Sequence, residues 1–178
     1  MEKEMEMLTV ALRGLTVLPN MIVHLDISRN GSMEAANQAM EGEQRLFLVA
    51  QKDTEVAMPG KADLCRVGTI AVIRQIVRIS PQVMRILIEG KQRAALLSII
   101  QEEPCLISSI LPIETEGKME MAEEQARVRV IKDMLVHYIA ENPKSSKELR
   151  KALEEESALD PFMEQEAPNM ALSQKVRQ

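Results

Sequence analysis

Apolar and polar positions change their rhythm along this chain, and the change divides it in two. Up to about residue 112 the apolar residues come in short runs separated by turn residues. Met7–Arg13 reads as a strand by its β-prone content, and Gly14 and then Pro19-Asn20 interrupt the apolar run. In the segment 22–27, Val23, Leu25 and Ile27 alternate with His24 and Asp26, the pattern of a half-buried strand. Asn30-Gly31 predicts a turn, Ser32 a helix cap, and Met33, Ala36 and Met40 the inner face of a short helix that stops at Gly42. The unbroken apolar run Leu46–Ala50 predicts a strand covered on both faces. Val67–Ile79 and Gln82–Glu89, split by Ser80-Pro81, predict a hairpin whose second strand ends at Gly90, with Met84, Ile86 and Ile88 on one face. Ala94–Ile100 and Cys105–Leu111 are two further strands. Six or seven short strands with one helix imply a curled sheet or small barrel.

Beyond Pro112 the period becomes helical. Met119–Ala140 carries an apolar stripe of Ala126, Ile131, Met134, Leu135, Tyr138 and Ile139, with Glu123 and Arg127 spaced for an i,i+4 ion pair. Asn142-Pro143 ends this helix. Ser145 and Glu148 form a capping box for a second, and Asp160-Pro161 opens a third. Gln178 falls just after another helix-like start at Ser173, as in a piece of a longer protein. The fold class is therefore α+β, a β-rich unit over 1–113 followed by a helical one over 114–178.

Composition narrows the function. The 178 residues include one Tyr, two Phe and no Trp, so the core must be aliphatic and stacking platforms for bases are scarce. Thirteen Met suit an irregular core or an adaptable surface. The net charge of −5 offers no global attraction to nucleic acid or an anionic membrane. Up to Leu111 there are 12 basic and 13 acidic residues, and from Pro112 onward 10 and 14. No run has signal-peptide or transmembrane character, and Cys65 and Cys105 form no metal or redox motif, which fits a cytoplasmic protein.

Candidate chemistry is sparse. His24 and His137 have no ligand partner at metal spacing and read as solvated. No glycine-rich phosphate loop is present, and no two carboxylates are marked as a catalytic pair. Lys144-Ser145-Ser146-Lys147 holds serine and lysine, but in the context of a helix cap. Six basic residues between Arg66 and Arg93 face one acid, Glu89. Counting by two puts Arg74 and Arg78 on one face, a candidate stripe for an anionic ligand, and a nucleic-acid or small-ligand binding module is the alternative function it would serve. A solvated outer face with ion pairs is the plainer alternative, and nucleic acid is not an expected partner.

Order, not any single motif, carries a family resemblance. Leu12-Arg13-Gly14 with Pro19-Asn20-Met21 comes first, then Leu48-Val49-Ala50-Gln51-Lys52-Asp53. Pro59-Gly60, Asp63-Leu64, Val67-Gly68-Thr69-Ile70-Ala71 and Gln75 come next, then Val83–Gly90 with Gln92-Arg93. This series resembles the amino-terminal substrate-recognition domain of the ATP-dependent protease Lon. The hairpin turn at Ser80-Pro81 is shorter than the family's usual glycine-containing one. The resemblance implies a PUA-like pseudo-barrel followed by a helical subdomain. It also implies a non-catalytic role, binding unfolded or degron-bearing proteins. Partner subunits of a hexameric parent would be further partners. ATP, magnesium and a serine–lysine peptidase would belong to other domains, with no cofactor in this chain. Leu15, Leu18 and Met21, apolar beyond what one strand needs, are candidate client contacts, as are Met33 and Met40, with burial in the core as the plainer alternative for all five.

Overall fold

A computed structural model describes residues 3–114 and 121–141. The chain divides after Glu114 into two compact units. In the first, six strands and one helix run in order: β1 (Met5–Leu12), β2 (Ile22–Ile27), α1 (Asn30–Glu41), β3 (Arg45–Ala50), β4 (Val67–Ser80), β5 (Val83–Gln101) and β6 (Ile107–Pro112). The sheet order is β2-β5-β4-β3-β1-β6, and β6 also pairs with β5. That extra pairing closes five strands into a ring and leaves β2 hanging from β5. The β1–β3 pair is parallel and the others are antiparallel. This is the expected β-rich pseudo-barrel with one short helix.

Two cores share the sheet. The ring interior takes Met7, Phe47, Val49, Ile70, Ala94, Leu96 and Ile110, drawn from all five ring strands. On the other face, Met33, Ala35, Ala36 and Ala39 of α1 cover Val10, Leu12, Leu46, Leu48, Ile73, Met84, Ile86 and Ile88. Strand β3 gives alternate residues to each core. Its continuous apolar run is the consequence of burial on both sides.

The second strand of the predicted hairpin does not stop at Gly90. It continues to Gln101 and absorbs the separate strand expected at Ala94–Ile100. Opposite it, Ile70 and Ala71 pair with Gln92 and Gly90, so Lys91 is an extra residue in the ladder. An extra residue reverses the alternation beyond it. Met84, Ile86 and Ile88 therefore serve one core while Ala94 and Leu96 serve the other. Gly90 is a close-approach residue and not a breaker. A Cβ there would collide with the Leu18 carbonyl, and the Asn20 N–H donates to the Gly90 carbonyl at 3.0 Å. Gly68 is as confined, with a built Cβ 2.5 Å from the Leu48 carbonyl and 2.6 Å from the Phe47 ring.

Other boundaries differ for local reasons. Helix α1 begins at Asn30, so Asn30-Gly31 is its first turn and Ser32 lies inside it; no side chain caps the end. The Met33 N–H already bonds the Arg29 carbonyl at 2.9 Å. The hairpin turn falls on Pro81 and Gln82, since Ser80 pairs with Val83. Strand β6 starts at Ile107, two residues after Cys105.

In the second unit the described element is α2 (Met121–Glu141). Arg127 and Glu123 form the expected pair at 2.8 Å. Of the expected stripe, Ala126 and Met134 are exposed and Ile131 is half-buried. The helices expected from Ser145 and Asp160, and the Lys144–Lys147 run, lie outside the described residues.

The confined glycines make a direct test. Gly90→Ala and Gly68→Ala should each cost about 2–4 kcal/mol, since backbone stands where the methyl would go. Gly60→Ala should change stability by less than about 0.5 kcal/mol, because its nearest neighbour is the Asp63 carboxylate at 3.8 Å. Urea midpoints at constant slope report all three; an unshifted midpoint for Gly90→Ala would contradict the packing.

Candidate functional site

Two concavities meet at Arg29. A cleft of about 220 Å³ lies between Ala11–Arg13 and Leu15 on one side and His24–Ser28 on the other. A larger groove of about 530 Å³ runs between the first turn of α1, the Ala57–Gly60 loop and the Glu102–Leu106 loop. Arg29 and Ser32 line both. Met58, 75% exposed, stands at the larger groove and is among the most exposed apolar residues described.

Gln51 holds this region together. It is the first residue after the doubly buried β3 and is itself buried. Its amide donates to the carbonyls of Asp53 at 3.2 Å and Val56 at 3.0 Å, which folds the loop back on itself. Its own oxygen accepts from Arg29. The Arg29 guanidinium also donates to the carbonyls of Ala11 and Val56, each at 3.3 Å. Burial, then the charge of Arg13, pulls the Arg29 pKa down. Arg13 reaches the same Val56 carbonyl at 3.5 Å. Two cations thus share one loop carbonyl, that of Val56, and neither has a carboxylate partner among the described residues.

The family-like motifs are likewise occupied with architecture. Lys52 donates to the Ala62 carbonyl at 2.7 Å, and Asp53 accepts from the Glu55 N–H at 2.9 Å. Asp63 caps its own 3-10 turn by accepting the Gly60 N–H at 2.9 Å. The Thr69 hydroxyl donates to the Val17 carbonyl at 2.7 Å and ties down the Leu15–Met21 segment.

That segment corrects part of the expected contact surface. Leu18 is 4% exposed and Met33 7%, so both belong to the core and to no open patch. Leu15 is half-buried and lines the smaller cleft, Met21 is half-buried, and Met40 stands partly exposed near the end of α1. The cleft brings in Leu15 without the other four.

Arg74 and Arg78 do not share a face. Ile73 pairs with Ile88 and Gln75 with Leu87, so Arg74 sits in a bulge that reverses the count. Arg74 turns to Glu89, its Nε 2.8 Å from the carboxylate, while Arg78 stands opposite the buried Met84. Lys91 also binds Glu89, and its hydrogen bond, then that of Arg74, holds this carboxyl below the usual carboxylate range. Arg85 pairs with Asp26 through two bonds of 2.6 and 2.7 Å and lowers that carboxyl in the same way. Three of the six basic residues are thereby paired, two of them on the one Glu89 carboxylate.

Nothing in the described residues assembles a reaction centre. No three of His, Cys, Asp and Glu come together as a metal-binding group there. Burial raises the Cys65 thiol pKa, and burial followed by Glu34 raises that of Cys105, the opposite of an activated nucleophile. His24 and His137 are both exposed. No described helix is long and apolar enough to cross a membrane.

Sequence reasoning assigned no site role to Arg29 or Met58, and to Gln51 only a place in the family-bearing series. A signal was available for Gln51: a polar residue directly after five buried apolar ones must find buried partners. Arg29 and Met58 carry no such mark, because their setting depends on loops brought together by the fold.

The class these features define is a small β pseudo-barrel whose concave surface is shaped by loops. Its sequence matches the profile of the ATP-dependent protease La (LON) substrate-binding domain over residues 6–176, and the chain belongs to that family. It is 38% identical over 157 residues to a Lon protease of Lachnoclostridium phytofermentans, covering 88% of this chain and 19% of that protein. A Lon protease of Clostridioides difficile is 34% identical over 182 residues, covering 97% of this chain and 22% of that protein. The chain thus spans about a fifth of the length of these curated relatives. The fold matches the N-terminal domain of Mycobacterium avium complex Lon protease with a TM-score of 0.72 at 16% identity, over 97% of this chain and 87% of the other. It also matches a Lon N-terminal domain protein from Xanthomonas campestris, with a TM-score of 0.55 at 13% identity, over 92% and 98%.

Gln51→Ala tests the hub. It removes one of the three acceptors of Arg29 and both ties to the Asp53–Val56 turn, and should cost about 1–3 kcal/mol. Limited proteolysis should then cut between Thr54 and Met58 faster than in the parent chain. Unchanged stability and cleavage would show that the loop is held by something else.

Proposed function

We propose that this chain is the client-recognition part of an ATP-dependent serine protease of protein quality control. It holds unfolded or degron-bearing proteins and aids assembly of the oligomer. The family match over residues 6–176, to a domain described as substrate-binding, is the observation that carries this reading. The exposed Met58, the half-buried Leu15 and the two concavities around Arg29 fit it, because they offer apolar surface beside polar loop groups. Residues 1–113 form the gripping head and 114–178 the helical connector. ATP, magnesium and a serine–lysine peptidase serve in other domains of the parent protein, a cytoplasmic hexamer.

The energetics suit a weak grip. Client apolar surface contributes roughly 25 cal/mol per Å² before association losses, and those losses consume much of it. Several heads on one oligomer raise the effective concentration and make the total hold strong without strong single contacts. A nucleic-acid reading is disfavoured by the pairing of Arg74, Arg85 and Lys91 with Glu89 and Asp26.

Fluorescence anisotropy with a reduced, carboxymethylated protein and its native form tests the reading. The isolated chain should bind the unfolded form with a dissociation constant on the order of 0.1–1 mM. Tethering several copies should tighten this about a hundredfold or more. Equal binding to the native form, or no binding even by tethered copies, would refute it.

A further inference from the structure

Strand β2 has an open side. It ends the sheet order and pairs with β5 alone. Its ladder runs from Ile22–Glu89 to Ile27–Met84 without a register shift. The phase is set by the Gly90 N–H, which donates to the Met21 carbonyl at 2.9 Å. Alternation from that bonded pair directs Val23, Leu25 and Ile27 toward β5. The N–H and C=O groups of Ile22, His24 and Asp26 then face away from the sheet. No other backbone bond among the described residues reaches them.

Folded proteins usually blunt such an edge with Lys, Pro, a bulge or a covering loop. β2 has no Lys, Pro or bulge, its one charged side chain, Asp26, is held by Arg85, and its first residue, Ile22, is 66% exposed. What lies beside it is a cavity. The 220 Å³ cleft has His24–Ser28 as one wall and Ala11–Arg13 with Leu15 as the other, and no residue of β5 lines it. The cleft therefore opens on the unpaired side. At the end of β2 it meets Arg13 and Arg29, two guanidinium groups without carboxylate partners among the described residues. A strand edge, an apolar wall at Leu15 and a paired positive end together describe one kind of occupant.

We propose that the free edge of β2 accepts an extended stretch of client polypeptide as an added strand. One of the stretch's side chains enters the cleft and an acidic one lies against Arg13 and Arg29. The proposal rests on the client-recognition reading and supplies its chemistry. Main-chain bonds recognise that a segment is extended and unpaired, whatever its sequence. A quality-control protein needs that criterion, and the arginines add a preference on top of it.

Residue-resolved amide exchange by NMR on the full chain tests this. The probe is an unstructured ten-residue peptide rich in Val and Thr with one Asp, compared with its alternately N-methylated twin. Saturating peptide should slow exchange of the Ile22, His24 and Asp26 amides at least tenfold. Those of Val23, Leu25 and Ile27 should be slow with or without it. The N-methylated twin should not bind. Arg13→Glu, with an otherwise unchanged amide spectrum, should weaken binding of the Asp peptide about tenfold and spare a peptide with Asn in its place. An unfolded client that binds while the three β2 amides keep exchanging, or an N-methylated peptide that binds as well, overturns strand addition and leaves client recognition standing. Failure of any unfolded client to bind removes both.

Discussion

One extra residue in one long strand organises this domain. Lys91 interrupts the count in β5, so the strand faces the α1 side up to Ile88 and the ring interior from Ala94 onward. Its first half carries β2 and its second half closes the ring through β6. Remove the bulge and the residues on one half would point the wrong way, exposing apolar side chains and burying polar ones. Gly90 beside it must stay small because the Leu18 carbonyl passes there, which fixes the Leu15–Met21 segment and, with it, one wall of the smaller cleft.

The proposed client-holding role rests on the surface this frame leaves over. The cores draw on the strands, α1 and a few connecting residues such as Val17 and Leu64, while Arg29, Gln51 and the Asp53–Val56 turn are arranged around backbone carbonyls. The polar groups that stabilise the loop are turned inward, while Met58, Leu15 and the β2 edge remain available at the surface. Among the described residues this leaves apolar side chains and an open strand edge beside satisfied polar loop groups.

Much of the fold is legible in the residues because burial enforces pattern. The doubly apolar Leu46–Ala50, the alternation through Ile27 and the face of Met84, Ile86 and Ile88 all appear in the structure as the residues imply. The arithmetic fails at irregularities. A bulge leaves no fixed signature, so the pattern marks Gly90 as an end and puts Arg74 and Arg78 on one face, and the ladder does neither. Burial of Leu18 and Met33 is equally hidden, since an apolar residue looks the same in sequence whether it covers a core or awaits a partner. The order of the family-bearing motifs points to the right family, yet Gln51, Gly60, Asp63, Gly68, Thr69 and Gly90 serve architecture. Some motif residues, Arg13 and Pro59 among them, do line the concavities, but Arg29 and Met58 join them only through the fold.

Site-specific photo-crosslinking addresses the central claim, that this concave face holds unfolded protein, most directly. A benzophenone side chain at Leu15 of the full chain, compared with one at the exposed Ile100, would be irradiated with an unfolded client and with its native form. Adducts should form from position 15 with the unfolded client, and few from position 100 or with the native form. Equal labelling at both positions, or none at 15 while the client is bound, would contradict it.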